Sequence, residues 1–315
     1  VCRVSSEVGL SRWEDRKLAH LARVPFSLQA QIALGKRLAR TLAALVIPPC
    51  KCLVLDLDNT LWGGVLGEEG IGGIALGEDY PGNVYKNFQR QLAGYLDRGI
   101  LLAIASRNNE ADVVQAFERH GDMVLRLEDF AARQIHWNEK AASLAAIASE
   151  LNIGIDALAF FDDSPAEQAW VRARMPDVRV IDVPPDPLRY GDALDESGVF
   201  DSLLLTADDR ARAERYRDGR RRRTLALPAA SVEEFIRSLD MRVHVAAVDA
   251  ATMPRVAQLI ARTNQFNLTT RRHTSADVER MIAEGAIAVS VRVTDRFGDS
   301  GLVGVAIAVA DGPDA

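Results

Sequence analysis

At 315 residues the chain is long enough for one large or two modest domains with a sizeable core, and its apolar and charged fractions are those of an ordinary folded protein. A formal net charge of -6 argues against a general nucleic-acid binder. No apolar run reaches the ~20 residues of a membrane span, and no signal peptide opens the sequence, so neither nucleic acid nor membrane is an expected partner. Three cysteines, with Cys50 and Cys52 nearly adjacent, make no disulfide framework and fit a reducing, cytoplasmic setting. A start at Val1 and a finish in Asp-Gly-Pro-Asp-Ala315 read as a piece of a larger multidomain chain.

Residues 1–50 form a lead-in. Apolar residues Ile32, Ala33, Leu38, Leu42 and Leu45 recur at helical spacing from about Ser27, which can cap the helix, and Pro48-Pro49 ends it. Cys52 to Leu55 is a continuous apolar run, the pattern of a parallel strand covered on both faces. It runs into Asp56 and Asp58, spaced to turn toward one site where ligands bind in open α/β sheets, and two such carboxylates hold a hard cation. The glycine-rich stretch from Trp62 to Asp79 reads as a β-hairpin flap.

A helix over Val84–Arg98 and an apolar strand over Ile100–Ala105 follow. Ser106 ends that strand, before Arg107, Asn108 and a helix over Glu110–His120. A hydroxyl and free helix N–H groups at one point make a seat for phosphate, or an ordinary helix cap. Lys140 opens a helix to Leu151, and Ala157–Phe161 is a buried strand ending in Asp162-Asp163-Ser164-Pro165, with Pro165 starting a helix. Val178–Val183 reads as one more strand.

From about Leu203 to Arg223 runs a basic helix holding Arg210, Arg212, Arg215, Arg217 and Arg220 to Arg223, either a solvated face or a docking patch for an acidic protein. Beyond it come a strand over Met241–Val248, helices over Met253–Arg262 and Ser275–Glu284, and an antiparallel pair over Ala286–Val293 and Leu302–Val309. Between those helices, Asn264, Gln265 and Asn267 either present amides to a ligand or bond their own turn.

The pattern Asp56-x-Asp58-x-Thr60 after an apolar strand resembles the nucleophile motif of the haloacid dehalogenase superfamily. The longer string Leu55-Asp-Leu-Asp-Asn-Thr-Leu-Trp-Gly-Gly64 resembles the FkbH-like proteins within it, as do Arg23-Val-Pro-Phe26, the Asn264 loop and Asp295-Arg-Phe-Gly-Asp-Ser-Gly301. Ser106, Lys140 and Asp162-Asp163 then match the second, third and fourth motifs in order.

The resemblance implies an α/β fold: a doubly wound, mostly parallel sheet with a flap and no cap domain, over 51–200. A basic connecting helix (201–230) and a smaller α+β domain (231–315) complete it, the order of elements in the latter being similar in outline to the N-acetyltransferase fold. Asp56 is the expected nucleophile and Asp58 the general acid and base, with Ser106 and Lys140 on the phosphoryl oxygens. Mg²⁺ is the expected cofactor, held by Asp56, Asp58, Asp163 and Asp162. Asn59, Thr60, Trp62, Arg107, Asn108, Asn264, Gln265 and Asn267 are the expected substrate contacts.

By the same resemblance the substrate is 1,3-bisphosphoglycerate and the partner an acyl carrier protein, whose phosphopantetheine thiol receives a glyceryl unit in polyketide assembly. One departure stands out: Ala105 occupies a position that often holds Cys in that family. Cys52, four residues back along its strand, is roughly 13 Å from the carboxylate. A plain phosphatase and a non-catalytic carrier-docking module are the rival readings.

Overall fold

The computed structural model describes residues 2–203, 216, 218, 236–262 and 273–309. They fall into two compact units, Val1–Ala213 and Glu214–Ala315.

The first unit opens with helices α1 (Cys2–Val8), α2 (Arg16–Ala22) and α3 (Leu28–Val46). Asp15 caps α2, its side chain accepting from the Leu18 N–H at 3.0 Å, and Ser27 caps α3 by accepting from Ala30 at 3.2 Å. The cap at Ser27 is the expected one; α1 and α2 were not anticipated, because neither is long enough to show a period.

The chain then alternates strand and helix: β1 (Cys52–Leu55), a single turn α4 (Leu66–Glu69), α5 (Gly82–Asp97), β2 (Leu101–Ser106), α6 (Glu110–Arg119), β3 (Phe130–Ile135), α7 (Lys140–Leu151), β4 (Leu158–Phe161), α8 (Pro165–Arg174), β5 (Arg179–Val180) and α9 (Tyr190–Ser197). The strands form one parallel sheet in the order β3-β2-β1-β4-β5. Right-handed crossovers put α5 and α6 on one face and α7 and α8 on the other. Accordingly α5 meets α9, while α7 meets α8. Strand order reverses at β1: successive strands add outward through β2 and β3 on one side, then through β4 and β5 on the other, and the crevice between β1 and β4 is where such sheets bind ligands.

Every residue of β1, β2 and β4 is buried, as continuous apolar runs require of strands covered on both faces. Leu53, Leu55, Ile104 and Phe161 pack with Phe88 and Leu92 of α5 and Val113 of α6, each burial stabilising by roughly 1.5–3 kcal/mol.

Two sequence expectations change, and one strand is new. The flap is no β-hairpin: a single antiparallel bridge joins Gly63 to Ala75, and the segment between makes the turn α4. Its apolar residues Leu66, Ile74 and Leu76 go into the core instead of alternating along a ladder. The strand at Val178–Val183 shortens to Arg179–Val180, an edge with one neighbour. The strand β3 had no reading in the sequence, since Arg133 and Gln134 break its apolar run.

The second unit is α+β, as anticipated: β6 (Arg242–Ala247), α10 (Met253–Arg262), α11 (Ser275–Ala283), β7 (Ile287–Asp295) and β8 (Gly298–Ala308). Its three strands pair antiparallel in the order β6-β7-β8. Thr274 and Asp277 close a capping box on α11. Among the described residues, no helix is long and apolar enough to cross a membrane.

Candidate active site

The carboxyl ends of β1, β2 and β4 converge with the start of α7. Asp56 follows β1 directly, and its N–H donates to Phe161 O of β4 at 3.1 Å, so the ends of the two strands are stitched together. Lys140, the first residue of α7, is 3% exposed and reaches across the sheet end. Its ammonium donates to Asp56 Oδ1 and to Ala105 O, each at 2.6 Å, and pairs with Asp162 Oδ2 at 3.0 Å.

Asp56, Asp162 and Asp163 each offer an oxygen, all within 4.8 Å of one another. Three carboxylates and one ammonium leave negative charge in excess. Burial, then the Asp56 charge, pushes Asp162 up to about 6 despite the pull of Lys140, and the same two causes push Asp163 up to about 6. Burial works against the Lys140 ammonium, yet the Asp56 and Asp162 charges outweigh it and raise Lys140 above its ordinary value. An all-oxygen set with surplus negative charge is the donor chemistry of a hard divalent cation.

Asp58 stands outside that cluster. Its Oδ1 accepts from the Trp62 indole N–H at 2.9 Å and the Leu66 N–H at 3.1 Å, and its Oδ2 from the Asn108 amide at 2.9 Å. One carboxylate thereby ties β1 to the flap and to the loop after β2, and it caps the turn α4. Trp62 has no exposed surface and packs edge-on against Phe117 at 5.8 Å. In place of the anticipated substrate contact, it holds Asp58. Thr60 is buried likewise, with its N–H on Leu57 O.

Asn59 takes a left-handed conformation, φ 52°. Its side-chain oxygen accepts from Gly64 N–H at 2.8 Å, closing the 56–64 loop on itself. Left-handed backbone is uncommon outside glycine, and Asn tolerates it better than most residues.

Ser106 ends β2 as the sequence implied; its hydroxyl lies 3.3 Å from the Asn108 amide, and its carbonyl accepts from His136 N–H. Arg107 is 43% exposed and pairs with Glu167 of α8 at 2.7 Å. Because β2 and β4 flank β1, that pair spans the sheet end from one side to the other. Ala105 is buried, with its carbonyl on Lys140.

Two contributors had no reading in the sequence. Gln89 of α5 is buried, donates to Leu61 O at 2.8 Å and accepts from Val124 and Leu125 N–H, fixing the flap's root. Glu167 supplies the partner of Arg107. Neither lies in a local pattern; only their place in the fold marks them. Asn264, Gln265 and Asn267 lie outside the described residues, as do Arg210, Arg212, Arg215, Arg217 and Arg220 to Arg223.

Fold and site together define an α/β carboxylate centre at the switch point of a parallel sheet. No family model matches the chain, and no curated protein does. Among solved structures it is similar to the N-terminal part of the protein BF1531 from Bacteroides fragilis, which contains a phosphatase domain and was crystallised in complex with Mg. Identity is 35% and the TM-score 0.60, over 65% of this chain and 55% of that one. This chain thus spans little more than half the length of the neighbour.

Proposed function

We propose that this chain is a Mg²⁺-dependent phosphatase of the haloacid dehalogenase type with Asp56 as nucleophile. The observation that carries this is the placing of Asp56 within one oxygen cluster with Asp162 and Asp163 while the Lys140 ammonium pairs with both Asp56 and Asp162. The Mg bound to the phosphatase domain of BF1531 supports the choice of metal. Held by Asp56, Asp162 and Asp163, Mg²⁺ supplies positive charge against both the carboxylates and the transferring phosphoryl group.

The chain's own residues divide the remaining work. A carboxylate oxygen of Asp56 attacks phosphorus; the aspartyl–phosphate bond forms as the bond to the leaving oxygen breaks. Asp58, aimed by Trp62 and Asn108, gives that oxygen a proton and then takes one from the water that hydrolyses the aspartyl phosphate. Lys140 and Ser106 hold the phosphoryl oxygens.

Within this chemistry we read the substrate as 1,3-bisphosphoglycerate and the acceptor as the phosphopantetheine thiol of an acyl carrier protein, in polyketide assembly. Two features support that finer reading: the FkbH-like motif string, and the small flap and α5 that alone separate β1 from β2, leaving room for a tethered arm. The methyl of Ala105 cannot hold an acyl group. Cys50 and Cys52 are buried, and burial raises both thiols, Cys50 to about 11. Neither of these two thiols is placed to carry the group, and we read the carrier thiolate as attacking the acyl carbon directly, with phosphate leaving as the C–O bond breaks.

Phosphate release from p-nitrophenyl phosphate, with and without Mg²⁺, tests the first reading. Asp56→Asn should lower turnover by more than about a hundredfold with the fold intact. A wild-type chain inert toward every phosphate ester in Mg²⁺ would sink it. Intact-mass measurement of a carrier protein after incubation with 1,3-bisphosphoglycerate tests the second; an unmodified carrier beside vigorous ester hydrolysis leaves a plain phosphatase.

A further inference from the structure

Tyr190 begins α9, 131 residues beyond the nucleophile loop in sequence, and belongs to none of the four motifs. It is 3% exposed. Its ring stands edge-on to Phe161 of β4 at 5.4 Å, to Phe88 of α5 at 5.6 Å and to Tyr85 at 6.3 Å. Three aromatic contacts fix where its hydroxyl points. That hydroxyl lies 2.9 Å from the main-chain oxygen of Asn59. A carbonyl only accepts, so the phenol donates. Burial pushes the phenol up, which keeps the proton on it through neutral pH.

Asn59 is the residue next to Asp58 and the one whose left-handed backbone turns the loop back toward Gly64. Its carbonyl is the point at which α9 grips the loop, next in sequence to Asp58, while Gln89 of α5 holds Leu61 O further along. We infer that Tyr190 is a positioning residue for the nucleophile loop: its hydroxyl clamps Asn59 O and so sets where Asp56 and Asp58 point. It acts through Asn59, the partner of its hydroxyl. The inference rests on the phosphatase reading for its kinetic consequence, and on geometry alone for its structural one.

Tyr95 provides a matched control. It too is a buried tyrosine of this core, and its hydroxyl donates to Asp195 of α9 at 2.8 Å, away from the loop. Tyr190→Phe and Tyr95→Phe each remove one hydroxyl and keep the ring. In the full chain with Mg²⁺ and p-nitrophenyl phosphate, Tyr190→Phe should lower kcat on the order of ten- to a hundredfold with KM little changed, as misplacement of a reacting group does. Tyr95→Phe should leave kcat near wild type. Hydrogen exchange read by mass spectrometry should quicken in the peptide covering 57–64 for Tyr190→Phe alone.

Wild-type kcat in a folded Tyr190→Phe chain overturns the clamp, as does an equal loss in both variants or a loss without faster exchange at 57–64. Should the wild-type chain hydrolyse no phosphate ester, the phosphatase reading fails, and the exchange comparison still decides whether Tyr190 holds the loop.

Discussion

Lys140 answers three acceptors with one ammonium, and removing it exposes what it offsets. Lys140→Met should cost about 3–5 kcal/mol in chemical denaturation, because buried carboxylates lose their partner. Added Mg²⁺ should recover part of that loss; no recovery would take Asp56 and Asp162 out of the metal site. The raised acids set a pH dependence of definite sign. Asp162 and Asp163, at about 6 against an ordinary 3.8, bind protons more tightly folded than unfolded. Their contribution to the metal-free fold is complete below the unfolded value and is lost as pH rises through about 6. Mg²⁺ competes with those protons, so its half-saturating concentration should climb about ten- to a hundredfold between pH ~7.5 and pH ~5. A titration that stays level across that range would remove the pair from the metal site. Asp56, Ser106, Asp162 and Asp163 were marked as candidates because each stands where an apolar run stops, and Lys140 by its place in the motif order of the resemblance. Gln89, Glu167 and Tyr190 were not, since each acts on a partner far away in sequence.

Among the elements, the flap departs furthest from what its sequence implied. Glycines and short apolar pieces read as a hairpin, but the carboxylate of Asp58 takes the N–H of Leu66 and winds the segment into a turn of helix. Side-chain capping by a residue eight positions back has no periodic signature. The single bridge at Gly63 is tight: a Cβ there would lie 2.8 Å from the Tyr85 ring and 3.1 Å from the Ala75 Cβ. Tyr85 is buried and cannot swing aside. Gly63→Ala should therefore destabilise by roughly 1–3 kcal/mol, read as a fall in Tm. An unchanged Tm would mean that the flap sits away from Tyr85.

For the molecule as a whole, sheet order decides the site. Placing β1 between β2 and β4 brings three strand ends together; that order had no reading in the sequence, where the three apolar runs ending in polar residues were visible. The edges were less so: β3 mixes Arg133 and Gln134 into its run and had no reading, and β5 keeps two residues of the strand expected over Val178–Val183. All the described site residues belong to the first unit. A chain shortened to that unit should retain Mg²⁺-dependent ester hydrolysis within about threefold of the full chain. A larger loss in a folded fragment would assign part of the site to the second unit, the Asn264 loop being the first place to look.

The three hydrogen bonds on Asp58 also bear on timing. Under the proposed mechanism this carboxylate gains and loses a proton in each cycle, and every gain weakens its hold on Trp62, Leu66 and Asn108 together. Flap breathing and turnover then share a clock. Relaxation-dispersion exchange at the Leu66 and Gly67 amides should quicken in Asp58→Asn, which stands in permanently for the proton-bearing state, and rates equal to wild type would separate the two motions.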